Sequence, residues 1–187
     1  IPEALPSPTR GMATAPLLLW GMSAGGQFND ELTAWKPERV AAFVVNKGGI
    51  YYSALVAREA RQVPALLFVG GKDLEFRTNT ITGLFAVNRR GGALWALAEE
   101  PGAAHVVGRS RDMALIFFDD VLGMRLKTPG APLEPLDPKA GFIGDFKAKT
   151  FAAAAALPAP TVPTAWLPTQ RVARAWQALV SEKPFDP

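Results

Sequence analysis

Short, almost uniformly apolar runs alternate along the chain with longer stretches in which apolar residues recur at helical spacing. Residues 17–20 (LLLW), 40–46 (VAAFVVN), 65–69 (ALLFV) and 93–98 (ALWALA) are runs of the first kind. They read as strands buried on both faces. Between the first two, Phe28, Leu32 and Trp35 fall at spacings of four and three. This predicts a helix with one apolar face, ended by Pro37. Residues 51–61, 78–90 and 110–122 read as further helices, and Gly48-Gly49, Gly70-Gly71 and Gly91-Gly92 punctuate the chain between elements. Strands alternating with helices imply crossover units, so the expected fold class is α/β: a parallel sheet with helices on both faces. The strand at 17–20 is expected to be buried on both faces like the others.

From Thr128 the pattern changes. Pro129, Pro132, Pro135 and Pro138 indicate an extended loop, and Pro158, Pro160, Pro163 and Pro168 a second one. The intervening FAAAAAL (151–157) suits a helix or a strand. Thr169 is placed to cap a last helix in which Val172, Trp176 and Leu179 share a face. The expected organisation is a main domain over residues 1–127 and a Pro-rich extension with a terminal helix, 128–187, packed on that domain.

Composition narrows the chemistry. The 187 residues are 49% hydrophobic and 20% charged, with a net charge of +3 and no dense run of Lys or Arg. A nucleic-acid partner is therefore not expected. No apolar run approaches the ~20 residues a membrane helix needs, so no membrane association is expected either. The chain has no cysteine and one histidine, His105, which excludes disulfides, thiolate metal sites and multi-histidine metal sites.

One stretch changes the picture further. In LLLWGMSAGG, an apolar run ends in Gly21-Met22-Ser23-Ala24-Gly25, and a helix follows. A strand–turn–helix carrying Gly-x-Ser-x-Gly holds the serine in strained backbone with its hydroxyl exposed at the carboxyl edge of the sheet. Small residues at Gly21 and Gly25 are expected to be needed there because a side chain would strike the neighbouring backbone. The other reading of Ser23 is a helix-capping serine in a Gly-rich turn. A phosphate-binding loop fails, because Gln27 stands where Lys followed by Ser or Thr would be required. A nucleophilic serine needs a base, and His105, in the loop after the fourth strand, is the one histidine able to serve. The imidazole in turn needs a carboxylate. Asp73 follows the third strand directly; Glu75 is its nearest rival, placed further out on the loop, while Asp112, Asp119 and Asp120 fall on a later helix and read as solvated. Trp20, Tyr51, Tyr52 and Phe76 lie at or just past strand ends and are candidates for contact with an acyl group. The chemistry calls for no cofactor and no metal.

The motifs LLLWGMSAGG, VPALLFVGGKD and EPGAAHVVGRSRDMALIFFDDVL, in that order over roughly residues 15–126, resemble the α/β-hydrolase superfamily, and within it the polyhydroxybutyrate-depolymerase and feruloyl-esterase kind of serine esterase. The resemblance implies a serine hydrolase acting on a small or polymeric carboxylic ester. Ser23 would be nucleophile, His105 base and Asp73 the orienting acid. The Ala24 N–H would be an oxyanion donor, with Gly21, Met22 and Gly25 framing the turn. It also implies secretion or a periplasmic address. The family carries strands ahead of the serine turn that this sequence does not display. The expectation is therefore that residues 1–127 are the carboxyl-terminal portion of such a domain, inactive alone and completed by an upstream segment. A prolyl-oligopeptidase-like peptidase shares the triad and its order, and a non-catalytic hydrolase-like binding protein is the alternative of a different class.

Overall fold

The computed structural model describes residues 15–128, 130–156 and 163–185. Four apolar runs form the strands β1 (Leu17–Met22), β2 (Val40–Asn46), β3 (Ala65–Gly70) and β4 (Trp95–Glu100), all parallel, in the order β1-β2-β3-β4. The helices α1 (Ala24–Trp35), α2 (Arg58–Arg61), α3 (Glu75–Arg90) and α4 (Ser110–Arg125) alternate with them. Side chains alternate across a strand, so the apolar runs feed two cores. Ala42, Val44, Leu66, Phe68, Ala96 and Ala98 pack on Met113, Phe117 and Val121 of α4. On the opposite face, Phe43, Val45, Leu67, Val69 and Trp95 pack on Ala60 of α2 and on Ile81, Leu84 and Phe85 of α3. The chain is of the α/β class.

Several elements differ from expectation. Only Arg58–Arg61 of the segment 51–61 is helical. Asn88 of α3 accepts from the Val56 N–H and donates to the Ala54 carbonyl, which holds the chain before α2 in an irregular path. Helix α3 begins at Glu75, three residues early, and β4 begins at Trp95 because the Ala93 and Leu94 N–H groups are turned to Asn88 O and Arg61 O.

The larger difference is in α1. Phe28 and Trp35, expected to face the core, are 62% and 73% exposed, while Gly26, Asn29, Asp30 and Thr33 are buried. The cause lies in the turn before the helix, which seats Gly26 against the backbone of Val45 and Asn46. Helical spacing then carries Asn29, Asp30 and Thr33 inward. Asn29 donates to Val44 O at 3.0 Å and Thr33 to Asn29 O at 2.7 Å, so both polar groups are satisfied inside. Strand β1 is likewise not buried on both faces. Among the described residues β2 is its one neighbour, and Leu18 and Trp20 are about two-fifths exposed.

Past Thr128 the chain is more ordered than a Pro-rich extension. Strands β5 (Phe142–Asp145), β6 (Thr150–Ala153) and β7 (Ala165–Leu167) form an antiparallel sheet in the order β6-β5-β7. The alanine run is thus strand, then a 3-10 turn at Ala154–Ala156; Pro129, Leu157, Pro158 and Pro160 lie outside the described residues. Thr169 Oγ1 accepts from Val172 N at 3.1 Å and caps α5 (Gln170–Val180), whose Val172, Trp176 and Leu179 enter the core shared with α4. The Trp176 indole donates to Leu97 O at 2.8 Å, so this helix occupies a carbonyl of β4. Among the described residues no helix is long and apolar enough to cross a membrane.

Candidate active site

Ser23 stands between β1 and α1 with φ 54° and ψ −122°, a backbone conformation rare for a residue with a side chain. Its N–H donates to Asn46 O at 2.8 Å, at the carboxyl end of β2. Although Ser23 is the N-cap residue of α1, its hydroxyl makes no capping hydrogen bond. The capping reading is therefore not what the turn displays: among the described residues the hydroxyl has no hydrogen-bond partner. A Cβ on Gly21 would overlap the carbonyl group of Gly25, so the first glycine is sterically required. Gly25 is a correction. Among the described residues a Cβ there meets nothing within 4 Å, and the close approach falls on Gly26 instead, where a Cβ would lie 3.2 Å from Asn46 N. Met22 ends β1 opposite Asn46. Ala24 and Gly25 are exposed, and their N–H groups, in the first turn of α1, have no intrahelical acceptor.

Asp73 sits between β3 and α3. Its Oδ1 accepts from Leu74 N at 2.7 Å and from Arg77 Nη1 at 3.0 Å; its Oδ2 lies 2.9 Å from His105 Nδ1. The carboxylate side chain is 2% exposed and the imidazole 31%. Burial pushes the Asp73 carboxyl up, but the hydrogen bonds from His105, Leu74 and Arg77 together outweigh it and hold the group below its ordinary range. An ionised Asp73 only accepts, so His105 Nδ1 donates and Nε2 is left as an acceptor. Glu75 is not on the loop but in the first turn of α3, exposed, with Asn79 at 3.4 Å as its contact. Asp112 and Asp119 are exposed, whereas Asp120 is largely covered and binds Thr169 and Arg171 at the start of α5. Arg77, one helical turn after Asp73, is a site residue the sequence reading passed over.

Ser23 and Asp73 follow β1 and β3, the two neighbours of β2, and the His105 loop reaches across to β2. There Asn46 Nδ2 donates to Val107 O at 3.3 Å. The same asparagine thus touches the Ser23 turn through its carbonyl and the histidine loop through its side chain. No hydrogen bond joins Ser23 Oγ to His105. Leu74 and Val106, the chain neighbours of Asp73 and His105, and Phe76, in the first turn of α3, are each more than half exposed. Of the aromatic candidates, Tyr52 is almost fully exposed, Trp20 lies on β1, and Tyr51 is half-buried near Gly48, its hydroxyl without a partner among the described residues. A cavity of about 510 Å³ lies elsewhere, between α3, β4 and α5, lined by Phe85, Leu97 and Trp176 but by none of Ser23, Asp73 and His105. Among the described residues no group of three or more His, Asp or Glu could hold a metal ion.

Comparison with protein-family models, with curated proteins and with solved structures finds no match to this chain.

Proposed function

We propose that the chain carries a serine-hydrolase site of the α/β-hydrolase type, which cleaves a carboxylic ester through an acyl-enzyme. The observation that carries the reading is the pairing of a buried, ionised Asp73 with His105 Nδ1 at 2.9 Å on the same sheet edge as a serine held at φ 54° whose hydroxyl caps nothing. Ser23 Oγ attacks the ester carbonyl and its proton passes to His105 Nε2. The carbonyl oxygen becomes an oxyanion, which receives the Ala24 N–H and faces the positive end of α1. As the tetrahedral species collapses, the C–O bond to the alcohol breaks, and the leaving oxygen takes the proton from His105. Water then attacks the acyl-enzyme, giving its proton to His105, and Ser23 leaves reprotonated as the carboxylic acid departs. Asp73 keeps the imidazole tautomer and stabilises its charged form throughout. The exposed Leu74, Phe76 and Val106 suit an apolar acyl or alcohol group.

One observation favours the non-catalytic alternative, the missing hydrogen bond between Ser23 and His105. Such bonds are often long without substrate, and one experiment separates the readings. A fluorophosphonate added to the folded full-length protein should phosphonylate Ser23 and no other serine, and His105→Ala should slow the reaction by ~10²-fold or more. Labelling that survives Ser23→Ala, or an unlabelled folded protein, would refute the hydrolase reading.

A further inference from the structure

Lys47 immediately follows β2, and its side chain is entirely buried. A buried ammonium needs partners, and among the described residues it has two: Glu100 Oε2 at 3.1 Å and Asn46 Oδ1 at 3.2 Å. Like Ser23 on the neighbouring strand, Lys47 has a positive φ, 53°, and its N–H donates to Phe68 O at 3.0 Å. That backbone turn keeps its stem inside the fold. Glu100 ends β4 and begins the histidine loop. Its second oxygen, Oε1, accepts from the Arg109 N–H at 2.7 Å, at the loop's far end. Its carboxylate lies so close under Gly108, where φ is +58°, that a Cβ there would overlap it. Glu100 O also accepts from Ala103 N at 3.1 Å. The two ends of the loop that carries His105 are thus both tied to one residue.

We infer that Glu100 is a positioning residue that holds the His105 loop in register with the Ser23 turn, and that Lys47 supplies the charge against which its carboxylate is buried. The link is continuous. Ser23 N–H binds Asn46 O, Asn46 Oδ1 binds Lys47 Nζ, Lys47 Nζ binds Glu100 Oε2, and Glu100 Oε1 receives Arg109 N–H. Neither residue contacts Asp73 or His105 by a hydrogen bond, so Glu100 acts on where the imidazole stands and not on its protonation. A shift on the order of 1 Å in that placement costs ~10²-fold in rate.

The reactivity half of this inference rests on the serine-hydrolase reading; the structural half does not. The test compares two double variants, each free of an unpaired buried charge: Lys47→Met with Glu100→Gln, and Lys47→Met with Glu100→Leu. Glutamine still accepts from Arg109 N–H and leucine cannot. With leucine, amide hydrogen exchange at Arg109 should speed up at least ~10-fold relative to the glutamine variant. Turnover of a nitrophenyl ester should fall ~10²-fold with KM changed less than ~3-fold, while the glutamine variant keeps most of both. Gly108→Ala, which leaves both charges in place and displaces the carboxylate from Arg109 N–H, should reproduce the leucine result and serves if the leucine variant does not fold. Equal Arg109 protection in the glutamine variant and in the leucine or alanine variant would overturn the inference, as would equal turnover. If the unvaried protein does not react with the fluorophosphonate, the hydrolase reading falls, and Arg109 exchange still decides whether Glu100 holds the loop.

Discussion

Replacing Asp73 with asparagine changes one atom in a side chain that has three hydrogen-bond partners among the described residues. Oδ1 receives two donors, Leu74 N–H and the Arg77 guanidinium, and Oδ2 receives one, His105 Nδ1–H. An asparagine there has one acceptor oxygen. The two donors fix that oxygen at the Oδ1 position, because turning the amide over would set NH2 against both. The NH2 group is therefore left facing His105. Donor cannot face donor, so the imidazole shifts its proton from Nδ1 to Nε2. In that tautomer it can no longer accept the proton of Ser23. The equivalent change in serine proteases lowers turnover ~10⁴-fold, and ~1.4 kcal/mol per decade makes that ~5.5 kcal/mol of transition-state stabilisation.

The same geometry says what should not change. Leu74 N–H and Arg77 keep an acceptor, and the partly exposed Arg77 pair is worth ~1 kcal/mol or less. The melting temperature of Asp73→Asn should therefore move by only a few degrees. Steady-state hydrolysis of a nitrophenyl ester should show the loss in kcat with KM nearly constant. Glu75→Gln, on an exposed side chain one turn into α3, is the control and should alter turnover less than ~2-fold. If Asp73→Asn retained more than about a tenth of the turnover, or Glu75→Gln cost more than Asp73→Asn, the tautomer argument and the assignment of the acid would both be wrong.

Gly21→Ala and Gly25→Ala should part company: the first drives a Cβ into the Gly25 carbonyl group and should cost ~1–3 kcal/mol with loss of Ser23 labelling. The second meets open space and should be neutral or stabilising by up to ~1 kcal/mol in chemical denaturation. Asp30 is pushed from its ordinary 3.8 up to about 7, first by burial and then by Glu31. The native state therefore holds a proton that the unfolded chain releases near pH 4. Stability should be full below that pH and fall by ~1.4 kcal/mol per unit up to about pH 7. In urea titrations Asp30→Asn should abolish that slope, and an unchanged slope would show that Asp30 is not its source.

The parallel sheet was legible because both faces of β2, β3 and β4 are covered, which leaves uniform apolar runs in the sequence. Part of the candidate site was legible for a related reason: functional side chains at a parallel sheet collect at strand ends, and Asp73 and His105, which each follow one, are paired at 2.9 Å. The orientation of α1 was not legible. Its periodicity places Phe28, Leu32 and Trp35 on one face, but the rotation of the helix is set by the contact of Gly26 with β2, which no helical pattern records. The antiparallel β5–β7 sheet was missed because its strands are three or four residues long, too short for alternation to stand out among prolines. Lys47 and Glu100 were passed over because a charged residue at a strand end ordinarily reads as exposed; only burial identifies their role. Arg77 carried a signal, its spacing of four from Asp73, that was available and unused.

The backbone at Ser23 gives an argument that does not depend on any substrate. A serine before a helix normally takes an extended conformation and lends its hydroxyl to the first turn, an arrangement worth ~1 kcal/mol. This chain forgoes that gain and holds Ser23 at φ 54°, at a cost of ~1–3 kcal/mol. The total is a sizeable part of the ~5–15 kcal/mol by which a domain is stable. Such a conformation persists only where its surroundings over-determine it, and here they do. The Ser23 N–H is bound to Asn46 O, Gly26 is packed on β2, and the overlap a side chain would meet at Gly21 leaves the turn no slack. None of those contacts uses the hydroxyl. If the turn served packing alone, an extended, capping serine would satisfy the same strand and the same helix with less strain. The strained geometry thus keeps the hydroxyl out of the capping of α1, on the sheet edge where Asp73 pairs with His105.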